Sequence, residues 1–384
     1  MSQEKEIALF LSVAIGIWTA LNLYTVWRIA SVPLVARHVP AGWLIAAGAF
    51  FWASFLLSIV LGHLLGWNTL AQPFEFIGTA WLGIVFLLFS CFLVVDLISG
   101  FSFLLPRLAP LLRTAGLVAG IGLCLIAFAQ GLRPPVVRDF EVRLAHLPPE
   151  ADGLVLVEIS DLHLGAILGE RWLSARLAQL EALHPDLLVI VGDLIDGHGP
   201  PEWEKKTIPI LRRLHAPLGV WAVTGNHEVY AGLDRSVRFF HEAGIPLLRD
   251  EWREVRPGLV LAGVDDPHDH RLYVTDLGQI KKALSGRPAG YATVFLSHRP
   301  VQAEAVAGAG VDLMLSGHTH GGQIWPFNYI VARFFPLLGG RYEVKGMPVI
   351  VCRGTGTWGP RMRLWRPGEI VRVTLRSPQM KDER

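Results

Sequence analysis

The sequence predicts an α/β domain preceded by a helical membrane region, and three observations carry that reading. Four long apolar runs occupy the first third of the chain. From residue 152 onward, short apolar strands alternate with helical stretches. Five of those strands are each followed, at the carboxyl end, by Asp, Asn or His.

The apolar runs, Ile7–Trp27, Trp43–Gly66, Ile77–Ile98 and Thr114–Leu132, each match the ~20 residues that a helix needs to cross a bilayer. Across 384 residues, 52% are hydrophobic, 18% are charged and the mean hydropathy is +0.40. Such an excess implies that part of the chain is solvated by lipid. Backbone groups in lipid must bond internally, so the runs should be helices. Trp18, Trp27, Trp43, Trp67 and Trp81 lie mostly near run ends, where an amphipathic ring prefers the interface. Four runs in succession argue against a cleaved signal peptide. Asp96, near the end of the third run, is expected to reach water or headgroups.

Arg28 and Arg37 fall in the first loop and Arg107 and Arg113 in the third, whereas the second has no Lys or Arg. Loops one and three are therefore expected in the cytoplasm and the C-terminal domain outside it, in a multi-pass protein of the inner or plasma membrane. Arg133, Arg138 and Arg143 pull the other way. The net charge is only +2 and the cations are scattered, so no nucleic-acid partner is expected. Of the three cysteines, Cys91 and Cys124 sit in apolar runs, and no disulfide framework or CxxC knuckle can form.

The expected organisation is a membrane region over 1–132, a Pro-punctuated connector over 133–151, the α/β domain over 152–376 and a tail over 377–384. Leu154–Ile159 and Leu187–Val191 read as strands with a helix, Arg171–Leu183, between them. Further strands are expected at Val220–Val223, Leu259–Val264, Thr293–Leu296, Leu313–Leu315 and Pro348–Cys352.

After these strands come Ser160-Asp161-Leu162-His163, Gly192-Asp193, Thr224-Gly225-Asn226-His227-Glu228, Ser297-His298 and Ser316-Gly317-His318-Thr319-His320. Ligands of α/β sheets bind beyond the carboxyl ends of strands, so these side chains should converge on one crevice. Carboxylate plus imidazole suits divalent ions such as Mn, Fe or Zn, with no thiolate needed. Two residues apart on an extended segment, Asp161 and His163 should point to one side, as should His318 and His320. Glycines 192, 225 and 317 let the backbone turn tightly. A two-metal site needs a bridging carboxylate, and Asp193, central in the order, is the candidate.

At these residues the chain resembles the calcineurin-like metallophosphoesterase superfamily, whose pattern is D-x-H, G-D, G-N-H-[DE], H and G-H-x-H. The stretches 316–327 and 354–364 are similar to its membrane-associated bacterial branch, close to the YkuE and YaeI phosphodiesterases. The resemblance implies an αββα sandwich with a two-metal site at one edge. One ion would be held by Asp161, His163, Asp193 and His320, and the other by Asp193, Asn226, His298 and His318. His227 would protonate the leaving oxygen or stabilise the transition state, Glu228 would orient it, and a metal-bridging hydroxide would attack phosphorus. The implied activity is hydrolysis of a phosphomono- or phosphodiester.

Arg299 and Arg361 are candidate contacts to substrate phosphate, and Arg353 and Arg363 are further candidates. The apolar stretch from Trp325 to Leu338 follows the last metal ligand and, with the membrane anchor, favours a lipid-linked substrate. Asp265 to His270 is expected in an irregular loop without strand-end spacing. The competing reading is a membrane sensor or transporter whose metal-binding domain does not catalyse. Against it, no ligand is missing from the pattern and few polar residues lie within the apolar runs.

Overall fold

A computed structural model of the chain describes residues 3–196, 202–267 and 276–378. The chain forms two compact units. One comprises the residues up to Leu132 together with Gly359–Leu364, the other Arg133–Trp358 and the stretch from Trp365.

The first unit is helical: α1 (Gln3–Ala30), α2 (Pro33–His38), α3 (Ala41–Ile59), α4 (Asn68–Ser99) and α5 (Ala109–Gly131). Four of these, at Ser12–Ala30, Ala41–Gly62, Asn68–Ser99 and Ala109–Gly131, are long and apolar enough to cross a membrane. Helix α4 packs against α1, α3 and α5, and small residues mark the contacts. A Cβ on Gly78 would lie 2.6 Å from the Phe55 backbone, and one on Gly120 would lie 2.7 Å from Leu88. Between helices in lipid, such close approach replaces the hydrophobic drive.

Asp96 does not reach water. It is fully buried, its carboxylate 2.6 Å from the Arg28 guanidinium, and the Tyr24 hydroxyl donates to it at 2.5 Å. Arg28, expected in the first loop, is inside α1 and also covers the Trp27 ring at 3.8 Å. An isolated charge in an apolar bundle is costly, so each side chain is tolerated because the other is there.

The second unit contains two sheets among the described residues, of order β1-β11-β2-β3-β4 and β5-β6-β7-β8-β10-β9. In chain order its elements are β1 (Val136–Arg143), β2 (Val155–Ile159), α6 (Glu170–Glu181), β3 (Leu187–Val191), α7 (Glu202–Leu211), β4 (Val220–Val223), α8 (Asn226–Tyr230), α9 (Leu233–Glu242), β5 (Glu251–Arg256) and β6 (Leu259–Gly263). There follow α10 (Leu277–Leu284), β7 (Ala292–Leu296), α11 (Ala303–Gly308), β8 (Leu313–Ser316), α12 (Phe327–Phe334), β9 (Gly340–Val344), β10 (Met347–Val351) and β11 (Glu369–Arg376). Strands β2, β3 and β4 run parallel, as do β6, β7, β8 and β10.

Period-two alternation distributes the strand side chains between layers. Leu187, Val189 and Val191 of β3 meet Leu259, Leu261, Val294, Leu296 and Leu315 of the other sheet in the central core. Leu188 and Ile190 point outward, onto Leu173 and Leu177 of α6, Leu211 of α7 and Phe240 of α9. Across the molecule Phe295 and Met314 pack on Ile280 of α10 and Val306 of α11. The architecture is an αββα sandwich.

Four strands escape the pattern read from sequence. Part of the expected connector is β1, an edge strand paired in parallel with β11 over eight residues. Strands β5 and β9 carry Arg and Glu at partly exposed positions, and in the mostly buried β11 Arg372, Thr374 and Arg376 interrupt the apolar run, which conceals the apolar signal.

Candidate metal centre

Strands β2, β3, β7 and β8 end side by side, and their next residues turn sharply. Asp161, His163, Asp193, His318 and His320 all have φ between +47° and +71°. Left-handed backbone is unfavourable for such residues and persists where surrounding bonds enforce it. Here the Asp161 N–H donates to Gly192 O, the His163 N–H to Asp193 O, and the Gly317 N–H to His298 O. Asp161 and His163 therefore converge through successive left-handed turns, not through the pleat of an extended strand, and the same holds for His318 and His320.

Gly192 is itself left-handed, at φ +78°. Gly225 and Gly317 are not, and proximity explains them instead. A Cβ on Gly225 would lie 2.2 Å from Asp193 Oδ1, and one on Gly317 would lie 2.6 Å from Asp161 Oδ2.

Among the described residues, three clusters could each hold a cation: Asp161, His163 and His320; His163, Asp193 and His227; and Asp193, His298 and His318. His163 is shared by the first and second clusters and Asp193 by the second and third. His163 Nε2 is 3.0 Å from His320 Nε2, and His320 Nε2 is 3.4 Å from Asp161 Oδ1. His298 Nε2 is 3.1 Å from Asp193 Oδ2, 3.2 Å from Asn226 Oδ1 and 3.3 Å from His318 Nδ1.

The donor chemistry fits divalent cations. His298 Nδ1 lies 2.8 Å from the Val191 carbonyl and donates to it, which leaves the Nε2 lone pair facing two oxygens and another imidazole. His163 Nδ1 lies 3.2 Å from Asp196 Oδ1, so its Nε2 lone pair also points inward. Buried acceptors facing acceptors repel unless protons or cations lie between them. Fixing the distal nitrogen through a carbonyl or carboxylate is how metal-binding imidazoles are oriented.

The charges tell the same story. Burial favours neutral imidazole at His298, but the nearby Asp193 and Asp161 carboxylates override it and raise its pKa to about 10. Burial and the His298 charge together hold His318 well below the ordinary range. For His227, burial is outweighed by Asp193 and Asp196, and its pKa rises to about 9.

Asp196 escapes the reading of the sequence. Its Oδ1 lies 3.2 Å from His163 Nδ1 and 3.0 Å from His227 Nδ1, so one carboxylate faces both rings. The signal was its place three residues after Gly192-Asp193. Glu228 does not sit on the His227 ring nitrogen. It is fully buried and accepts from the backbone N–H groups of Asp193 (2.9 Å), Gly225 (2.6 Å) and Ile195 (3.2 Å).

Arg299 does not face solvent. It is buried, 2.9 Å from Asp266 Oδ1. Asp265 and Asp266 lie beyond the end of β6, separated from it by one residue and so near a strand end after all, where the Thr224 hydroxyl donates to Asp265. His268, Asp269 and His270 lie outside the described residues. Arg361 and Arg363 belong with the helical unit, where the Arg363 N–H donates to the Ala127 carbonyl at 2.9 Å. Arg353 ion-pairs with Glu369 at 3.7 Å.

The calcineurin-like phosphoesterase family matches residues 154–322. An uncharacterised metallophosphoesterase of Aquifex aeolicus is 36% identical over 235 residues, covering 59% of this chain and 87% of that protein. One from Campylobacter jejuni is 32% identical over 265 residues, 68% of each chain. The chain belongs to the calcineurin-like metallophosphoesterases. A bovine protein described as a transmembrane protein with a metallophosphoesterase domain is 32% identical over 286 residues. The match covers 71% of this chain and 62% of the bovine protein. As a metallophosphoesterase, the chain joins the family's αββα unit to helices able to cross a membrane.

Proposed function

We propose that the protein is a membrane-anchored two-metal hydrolase of phosphomono- or phosphodiesters. The observation that carries the proposal is the convergence of eight polar groups, Asp193 among them, from five strand ends. In this reading Asp161, His163, Asp193 and His320 hold one cation, and Asp193, Asn226, His298 and His318 the other. A pair of divalent ions supplies Lewis acidity that activates water and neutralises phosphoryl charge. Mn, Fe and Zn all suit the donor set.

The protein's own groups perform the rest. His227, held beside Asp196, is placed to give a proton to the leaving oxygen as the ester P–O bond breaks. Asp196 positions that imidazole, and Glu228 holds the backbone of Asp193 and Gly225. Arg299 acts through Asp266 at the edge of the site. Arg361 is a weaker candidate for substrate phosphate, because its segment groups with the helices.

A lipid-linked ester is the substrate class favoured by the anchor and by α12, which exposes Phe327, Ile330 and Phe334 while Phe335 packs on the His318 ring at 4.8 Å. An extracytoplasmic site is favoured by Arg37 and Arg107 in loops one and three, with Arg113 in the first turns of α5. Arg28 no longer counts toward that balance.

The test is hydrolysis of bis-p-nitrophenyl phosphate by the full chain in detergent, with Mn, Zn, Co or Fe, beside Asp193→Asn and His227→Ala. Metal-dependent turnover abolished in the first variant and reduced about 10²–10⁴-fold in the second is expected. Stoichiometric metal binding without cleavage of any phosphoester would favour the sensor reading instead.

A further inference from the structure

Two large aromatic side chains, Tyr230 and Trp358, lie beside His227 and outside the three main hydrophobic clusters described for the unit. Tyr230 is 56% exposed and Trp358 50% exposed. Tyr230 follows His227 by one helical turn on α8, which puts both on one face, and their ring centres are 5.4 Å apart. Trp358 approaches from another part of the chain, its ring centre 6.3 Å from that of His227 at an interplanar angle of 74°.

Trp358 is held in place by its backbone. Its N–H donates to Gln323 Oε1 at 3.0 Å, and Gln323 Nε2 donates to its carbonyl at 2.9 Å. Gln323 is buried, at φ +40°, and its own N–H donates to the carbonyl of His320. A candidate metal ligand, an amide clamp and the backbone that carries an exposed indole thus form one chain of contacts. A large ring fixed at the surface adds little to the core but offers a preorganised contact face.

We propose that Tyr230 and Trp358 bracket the leaving group of the substrate, and that the enzyme prefers phosphoesters whose leaving alcohol carries an aromatic ring, as an aryl or nucleoside alcohol does. The inference rests on the reading that His227 protonates the leaving oxygen. Whatever is attached to that oxygen lies beside the two rings that flank His227, and stacking on them lowers the free energy of the bound ester.

The test is competitive inhibition of bis-p-nitrophenyl phosphate hydrolysis by phenylphosphonate and by methylphosphonate, using the full chain in detergent with Mn. Phenylphosphonate is expected to inhibit about tenfold more tightly than methylphosphonate, a ratio of the size that stacking provides. Trp358→Ala and Tyr230→Ala each lower that ratio to about two, while Trp358→Phe keeps most of it. Trp358→Leu, which retains apolar bulk without a ring, behaves like the alanine variant. A ratio unchanged in Trp358→Ala and Trp358→Leu overturns the bracket and leaves the hydrolase reading intact. Absence of both hydrolysis and phosphonate binding in the parent protein overturns the hydrolase reading, and the bracket with it.

Discussion

His227 shows how one neighbour sets the use of a side chain. Its pKa of about 9 reflects Asp193 and Asp196 outweighing burial. That value belongs to the chain without cations, which would offset the Asp193 charge. In either state an acid that works in its protonated form stops as pH rises through its pKa. Asp196→Asn removes a raising partner, so the alkaline limb of kcat/KM against pH should move to lower pH. The same substitution loosens His163, and metal affinity should fall about 10–100-fold. A pH profile superimposable on that of the parent would remove Asp196 from this role.

At the level of elements, α8 is tied to the loop after β3 by Glu228. Its carboxylate caps the Gly225 N–H at the start of the helix, and it also accepts from Asp193 and Ile195. Glu228→Ala leaves three buried N–H groups without that acceptor, at about 1–3 kcal/mol each. Thermal unfolding of the metal-free protein should therefore show a loss of roughly 3 kcal/mol or more, independent of any effect on metal affinity. Glu228→Gln, which keeps one acceptor oxygen, should lose less. Equal stability of Glu228→Ala and the parent would mean that water replaces the carboxylate.

For the whole molecule, the buried Arg28–Asp96 pair is a second commitment, far in sequence from the metal residues. Removing one partner leaves an uncompensated charge among apolar helices, and Asp96→Ala should destabilise the full chain in detergent by about 3–5 kcal/mol. The double variant Arg28→Met with Asp96→Leu removes both charges and should recover most of that loss. A thermal-unfolding cycle over the four proteins measures the coupling. If the double variant is no more stable than Asp96→Ala, the pair is doing something other than neutralising itself.

Much of this protein was legible in its residues. The apolar runs foretold the four long helices because lipid-compatible length and hydropathy are local properties. The strand-end rhythm placed Asp161, His163, Asp193, Asn226, His298, His318 and His320 together because parallel strands deliver their carboxyl ends to one edge. Strands β1, β5, β9 and β11 were hidden, since charged or polar residues interrupt each of them and leave no continuous apolar run. Tertiary structure alone decided which carboxylate faces which ring. Glu228 turned toward backbone, Asp196 took the place beside His227, Arg299 went to Asp266 and Asp96 to Arg28. Those choices depend on distances between segments remote in sequence, where burial forces each charge to find the nearest partner.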